Sequence, residues 1–340
     1  MSIHDLALIE RGIAQRARLL DALLADLYGP QRLLALRLVP SELVFGHPDF
    51  LWPAHGLVPH MGRWLHACAA DLARTPDGRW WVLADHTGTP FSAGRALMNR
   101  DIIRQLLALM NPDEEPLAVV LRPGPGNEAR FRYGDMAHQP GIPLAAGHDL
   151  SVRDDTLFLK TPAGLKRVHC ILRCLEDDCC DPLELRSDSA LGVAGLLGVV
   201  RAQRVLLANA LGSGVLESAA WFGFLPGIAE HLLGESLVLP SLASWWCGEA
   251  EALQYVLEHV DDLVIRAVFP NQHFGPVSGR SIAGAERDRL IARLRARPNA
   301  YVAQEHMEAA ATLPVCAFQR GGAGSGEWVL AEPQPWVPAP

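Results

Sequence analysis

Four short, mainly apolar runs constrain this chain more than any other feature: "LAVVL" (117–121), "VHCIL" (168–172), "RVLLANA" (204–210) and "LVIRAVF" (263–269). Each is too short for a helix and is bounded by turn residues or charges, the pattern of a buried strand. Helical spacing fills much of the remaining chain. Residues 6–28 place Leu8, Ile9, Ile13, Leu19, Leu20, Leu23, Leu24 and Leu27 along one stripe, and Gly29-Pro30 ends it. The same periodicity predicts helices over 93–110, 191–201, 221–233, 249–259 and 283–297, with Asn111-Pro112 breaking the first of these. Strand and helix signals that alternate in this way predict an α/β fold with mixed sheets.

Polar turns set the remaining punctuation. A strand near 65–72 and another from Trp80 flank Pro76-Asp77-Gly78, predicting a hairpin with Asp71 on one arm and Asp85 on the other. An acidic loop at His148-Asp149 precedes a second hairpin that turns at Asp154-Asp155. The stretch "LVPSELVFGHPDFLWPAHGLVPHMG" mixes Pro, Gly and aromatics and reads as an ordered, packed loop. "LAVVLRPGPGNEARF" reads as a buried strand, a tight turn and a helix start. "YVAQE" (301–305) is the final predicted strand, and residues 321–340, with clustered Gly and Pro, read as a flexible or extended tail.

Composition narrows the function classes. A chain that is 49% hydrophobic and 20% charged can bury a substantial core. A net charge of −8 argues against a nucleic-acid surface. No apolar run approaches the roughly 18 residues a bilayer span requires, and no signal-peptide pattern opens the sequence, so no membrane partner is expected. The seven Cys, including the adjacent Cys179-Cys180, suit free thiols in a reducing cytoplasm. Cys170, Cys174, Cys179 and Cys180 lack the paired C-x-x-C spacing of zinc sites.

Three constellations could carry chemistry. Glu176, Asp177, Asp178 and Asp181 follow Arg173 at a strand end; they form either a solvated charged loop or a seat for a cationic substrate or metal. "ANALGSG" places Gly212 and Gly214 after a buried strand, where backbone N–H groups can approach a phosphate, or simply turn. Arg266 interrupts an apolar strand, so it needs an anion, an internal salt bridge or an outward orientation. HExxH, Walker A and GxSxG motifs are absent.

In combination these pieces resemble the circularly permuted type 2 ATP-grasp family, distant relatives of glutathionylspermidine synthetase. The resemblance rests on segments in series over residues 8–310. They include "RGIAQRARLLDALLADLYGPQRLL", "VPSELVFGHPDF", "DGRWWVLADHTGTP", "RPGPGNEARF", "EDDCCDPLELRSDSALGVAGLL", "LLANALGSGV", "DDLVIRAVF" and "ARPNAYVAQE". It implies an ATP-grasp-like, circularly permuted α/β (α+β) fold with a Rossmann-like subdomain, in one unit over 1–320. Within that unit, 1–110 would carry the metal hairpin, 111–205 the Rossmann-like substrate part and 206–320 the nucleotide strand.

The implied activity is that of an ATP-dependent carboxylate–amine ligase acting through an acyl phosphate, with ATP and Mg2+ as cofactors. Its substrates would be a small carboxylate and an amine or peptide, and a helical alpha-E-type protein is the implied partner. Carried over residue by residue, Asp71 and Asp85 would hold the metal, and Arg266 and Arg173 would be catalytic. Arg266, Asn209, Gly212, Gly214 and Gln304 would contact nucleotide, while Asn127, Arg173, Asp177, Asp178, Asp181, Asp188 and Ser189 would form the substrate side. The chain departs from the family pattern at several of these places. Ala84 stands for a glutamate, His86 for an asparagine, Arg266 for a lysine, and Ala219 or Ala220 for another lysine; "PNQHFG" replaces a glycine-rich flap. These departures imply the alternative of a degenerate ATP-grasp module with a binding, scaffold or regulatory role and no ligation.

Overall fold

A computed structural model describes residues 2–89, 116–123, 142–269, 272–307, 311–320, 327–330 and 337–338. The helix Ile3–Leu27 forms along the predicted stripe. Ser2 caps it: its Oγ accepts the Asp5 N–H at 3.0 Å, and the Asp5 carboxylate accepts the Ser2 N–H at 3.0 Å. Leu19, Leu20, Leu23, Leu24 and Leu27 are fully buried on this helix. Each such burial contributes roughly 1.5–3 kcal/mol, which makes the stripe a main anchor of the core.

The strands are β1 (Ala67–Arg74), β2 (Trp80–His86), β3 (Ala118–Leu121), β4 (Leu144–Ala145), β5 (Leu150–Arg153), β6 (Thr156–Thr161), β7 (Gly164–Arg167) and β8 (Cys170–Arg173). They continue with β9 (Leu206–Ala208), β10 (Ser244–Trp246), β11 (Leu263–Ala267), β12 (Val277–Ser278), β13 (Tyr301–Glu305), β14 (Ala311–Arg320), β15 (Glu327–Leu330) and β16 (Val337–Pro338). Three of the apolar runs supply β3, β8 and β9, which join β4 in a parallel sheet of order β4-β3-β8-β9. These three strands are buried at every residue, as strands covered on both faces must be. The fourth run supplies β11, in an antiparallel sheet of order β10-β13-β11-β12. The strands β5-β6-β7 form a meander, and Asp154 and Asp155 take the paired positive φ of 48° and 54° that a two-residue hairpin turn demands.

The β1–β2 hairpin forms as predicted, and it belongs to a larger sheet of order β15-β14-β1-β2, with β16 on β14. "YVAQE" is therefore not the last strand. β14 runs antiparallel to β1 from Ala67↔Phe318 to Ala73↔Thr312, and β15 and β16 carry sheet pairing into the expected tail. The physical reason is the open edge of β1, whose backbone groups need a partner, together with the buried Leu313, Val315 and Ala317 of β14. The helix expected from 221 begins instead at Leu225, because Ala219–Gly223 tightens into a 3-10 turn with Trp221 Nε1 donating to the Val215 carbonyl at 2.7 Å. The helix predicted over 93–110 and the turn after Pro123 lie outside the described residues. Among the described residues no helix is long and apolar enough to cross a membrane.

Candidate functional site

The carboxyl ends of β3 and β8, the loop after β9, the middle of β2 and the open face of β11–β13 surround a cleft of about 1200 Å3. A crevice at the carboxyl ends of parallel strands is where open α/β sheets hold ligands. Pro123, Arg173 to Cys179, Gly214, Glu217 and Phe222 line it from the parallel-sheet side. Arg266 and Gln304 line it from β11 and β13, His47 and Asp49 from the Pro/Gly-rich loop, and Ala84 and Gly88 from β2 and its exit. That loop is ordered by ring packing, with Tyr28 stacked on Phe50 at 4.9 Å and Phe45 stacked on Trp52 at 4.8 Å.

Alternation explains how Arg266 reaches the cleft. Leu263 and Ile265 point into the core, while Val264 and Arg266 point the other way; Val264 opposes Gln304 in the register, so Gln304 shares that face. Among the described residues Arg266 makes no ion pair or hydrogen bond. Burial among its neighbours pulls the guanidinium below its ordinary value, so an anion placed there would find a cation with no partner to displace.

Several expected site residues do something else. Asp71 and Asp85 are not brought together, because Asp71 opposes Ala84 whereas Asp85 opposes Ala70, which puts them on opposite faces. Asp85 points into the core and takes a bidentate pair from Arg16, Nε to Oδ1 at 2.6 Å and Nη2 to Oδ2 at 2.7 Å. Asp71 pairs with His86 Nε2 at 2.9 Å, and that bond raises the His86 pKa. Arg173 is fully buried and is spent on protein groups: Asp177 at 2.9 Å, the Leu175 carbonyl at 2.5 Å, the Gly88 carbonyl at 2.8 Å and Ser213 Oγ at 3.2 Å.

The glycine loop is likewise occupied from within. The N–H groups of Gly212 and Gly214 donate to the two oxygens of Asp177 at 2.9 and 3.0 Å. A Cβ at Gly214 would meet Asp177 Oδ2 at 2.8 Å, so glycine there admits an internal carboxylate rather than a phosphate. Asn209 clamps β1 to the exit of β2: its Oδ1 accepts the His66 N–H, and its Nδ2 donates to the Ala67 and Thr87 carbonyls. Asp181 is fully buried and accepts N–H groups from Leu183, Gly195 and Leu197, fixing the start of the helix Leu196–Arg201. Ser189 Oγ donates to the Cys179 carbonyl, and Asp188 sits exposed beside Arg186. Asn127 lies outside the described residues. Of the expected set, Arg266, Gln304 and Asp178 have side chains that line the cleft, Gln304 while donating from Nε2 to Ser244 Oγ at 3.1 Å and Asp178 while pairing with Arg186 at 3.1 Å.

Two cleft acids escaped sequence reasoning. Asp49 has its pKa raised to about 7, first by burial and then by the charges of Asp177, Glu217, Asp178 and Glu176. Glu217, three residues before the position where a lysine was sought if Ala220 is taken and two before it if Ala219 is, faces the same space; burial raises its pKa against two backbone N–H bonds. The only available signal was a lone charge in an aromatic loop ("GHPDF") and one behind a glycine pair ("GSGVLE"). Glu176, Asp178 and Cys179 bring three ligand atoms within 4.8 Å of one another. However, Arg186 Nη2 donates to Cys179 Sγ at 2.8 Å, and burial pushes that thiol up to about 12, so the group already has its cation and the sulfur keeps its proton. Cys170 and Cys174 are also pushed up to about 12 by burial, and all seven Cys are free.

The chain matches the family described as circularly permuted ATP-grasp type 2 over residues 1–115 and 103–333. The chain belongs to that family. An uncharacterised protein of Synechocystis is 34% identical, with 87% of this chain and 67% of the relative covered. An uncharacterised protein of Mycobacterium tuberculosis is also 34% identical over 99% of this chain, but this chain spans only 41% of its length. An uncharacterised protein of Mycobacterium leprae is 31% identical, with 91% and 59% covered. Among solved structures, a glutathione synthetase-like effector from Globodera pallida in its apo form superposes with a TM-score of 0.56 at 10% identity, covering 94% of this chain and 83% of that one. The last likeness is one of fold alone, and the fold is ATP-grasp-like.

Proposed function

We propose that this ATP-grasp protein is an ATP-dependent carboxylate–amine ligase that works through an acyl phosphate. The observation that carries the reading is Arg266, a cation without a partner among the described residues, placed beside Gln304 on one wall of a cleft whose other wall is acidic. A triphosphate lying along Arg266 would have its γ-phosphoryl group near the centre of that cleft. A substrate carboxylate oxygen would then attack the γ-phosphorus and ADP would leave. An amine nitrogen would attack the acyl carbon, inorganic phosphate would leave, and the nitrogen would lose a proton.

The pair Asp71 and Asp85 does not fit a shared metal, but Asp49, Glu176 and Asp178 line the cleft with carboxylate oxygens that suit a hard divalent cation. Burial and the neighbouring acids raise the Asp49 pKa, so a cation bound there would be neutralised against several carboxylates. Mg2+ bound to these acids would supply charge neutralisation for the phosphates. The substrates in this reading are a small carboxylate and an amine or peptide. The family resemblance adds a helical alpha-E-type protein to this proposal as a partner.

A second reading, a binding module without ligation, is favoured by one feature. Arg16, His86 and Asp177 already occupy the groups that a nucleotide and its metal would use. Thermal unfolding with ATP plus Mg2+ tests the nucleotide site. A ligand at one hundred times its Kd stabilises by about 2.7 kcal/mol, and Arg266→Ala should remove that gain. No shift at millimolar nucleotide ends both nucleotide readings. A shift without ADP release in pools of amino acids, polyamines and small peptides leaves the binding module.

A further inference from the structure

Beyond β2 the chain turns at Thr87-Gly88 into the cleft, and its polar groups are tied down on every side but one. Thr87 is fully buried; its Oγ1 donates to the Ser213 carbonyl at 2.7 Å, and its carbonyl accepts Asn209 Nδ2 at 2.6 Å. The Gly88 carbonyl accepts Arg173 Nη2 at 2.8 Å. What remains is the pair of successive N–H groups, and both point at one atom. Glu217 Oε1 accepts them at 2.8 Å from Thr87 and 2.7 Å from Gly88. Two fixed backbone donors converging on one oxygen are the geometry by which proteins bind oxyanions.

The acceptor is a side chain on the surface of the cleft, not a piece of the core. Glu217 is the last residue of the 3-10 turn Ser213–Glu217; the residue keeps exposed surface while its carboxylate is drawn into the cleft onto the two N–H groups. The donors are rigid, whereas Glu217 hangs on rotatable bonds. The glycine matters as well: a Cβ at position 88 would come 3.2 Å from Glu217 Oε1 and 3.3 Å from Gly214 Cα, crowding whatever oxygen sits there. We propose that the Thr87 and Gly88 N–H groups form an oxyanion subsite for a carboxylate or phosphoryl oxygen of a ligand, and that Glu217 fills it as a tethered anion until the ligand arrives.

At the two N–H groups themselves one anionic oxygen replaces another, while the displaced Glu217 stays in the cleft. His86 lies close enough to the seated Glu217 that each shifts the other's pKa toward the charged form. No covalent step is involved, and the subsite stands whether or not the cleft binds ATP.

The test uses the full chain and two probes, inorganic phosphate and acetate, titrated without nucleotide while the Thr87 and Gly88 amide resonances are followed by NMR. A plug that is closed about ten times in eleven weakens the apparent affinity about tenfold. Glu217→Ala should therefore move both amides with an apparent Kd about tenfold below that of the wild type, and Glu217→Gln should fall between them. Response to phosphate assigns a phosphoryl subsite, and response to acetate a carboxylate subsite. The proposal is overturned if neither anion moves these amides in Glu217→Ala, or if wild type and variant titrate alike. Should Glu217→Ala fail to fold, the isosteric Glu217→Gln is read in its place against the same two outcomes.

Discussion

Replacing Asp85 with Asn asks whether this strand-end acid holds a cation or holds the fold. The carboxylate and its Arg16 partner are 1% and 2% exposed, and they meet through two bonds of 2.7 Å or less. Removing one charge leaves the other buried beneath Phe222, whose ring lies 5.1 Å from the guanidinium carbon. Breaking a buried pair in this way costs roughly 3–5 kcal/mol. An unfolding entropy of about 2.1 cal/mol/K per residue gives about 0.7 kcal/mol/K for this chain, so the expected fall in Tm is about 4–7 °C.

The decisive arm is the double variant Arg16→Met with Asp85→Leu. It leaves no uncompensated charge, so it should be more stable than either single variant, with a coupling energy of at least about 2 kcal/mol. Calorimetric melts of the four proteins complete the cycle. The reasoning fails if Asp85→Asn melts within about a degree of wild type, or if the two single costs simply add in the double variant. A metal-holding role makes the opposite forecast, namely little loss of stability and loss of any Mg2+-dependent shift.

Two further outcomes are expected. Gly212→Ala should cost at least about 2 kcal/mol in urea unfolding, because φ is +88° there and the new Cβ would lie 2.1 Å from Tyr28 Oη; an unchanged midpoint would refute it. Asp49→Asn should stabilise the protein at pH 8 and change little near pH 3. The sign follows from a folded pKa raised from 3.8 to about 7: between those values the folded state binds more protons, so stability falls as pH rises, and the deficit is complete above about 7. Melts across pH check this, and a variant that destabilises at pH 8 would contradict it.

The fold was largely legible because its signals are local. The stripe of Ile3–Leu27, the all-apolar β3, β8 and β9, and the turns at Gly78 and Asp154-Asp155 each declare themselves within a few residues. β14 did not, since Pro314 and the glycines after Arg320 mask an alternation that only pairing with β1 makes sense of. The candidate site was legible in address more than in role. Its expected strands do converge, but whether an acid faces the cleft or an internal Arg depends on one-residue parity and on partners far away in sequence. Asp85 finds Arg16 across 69 positions, and Asp177 finds Gly212 across 35. Motif matching assigns both to a ligand, and no spacing rule contains the competing partner.

The internal contacts have a common consequence for where specificity must reside. Arg173, Asp177, Asn209 and Thr87 tie the end of β8, the loop after β9 and the exit of β2 into one hydrogen-bonded knot. Every member is buried and satisfied, so this wall is stiff and a ligand cannot recruit its charges without breaking bonds worth more than it could return. Besides Asp178, which pairs with Arg186, the groups left to meet a ligand are Arg266 and Gln304 on β11 and β13, Asp49 on its aromatic-packed loop, and Glu217 at the rim of the knot. Two of these four, Asp49 and Glu217, are not among the residues that motif matching singled out. Differences in ligand between this chain and its relatives should therefore follow substitutions at 49 and 217 more closely than substitutions in the glycine loop.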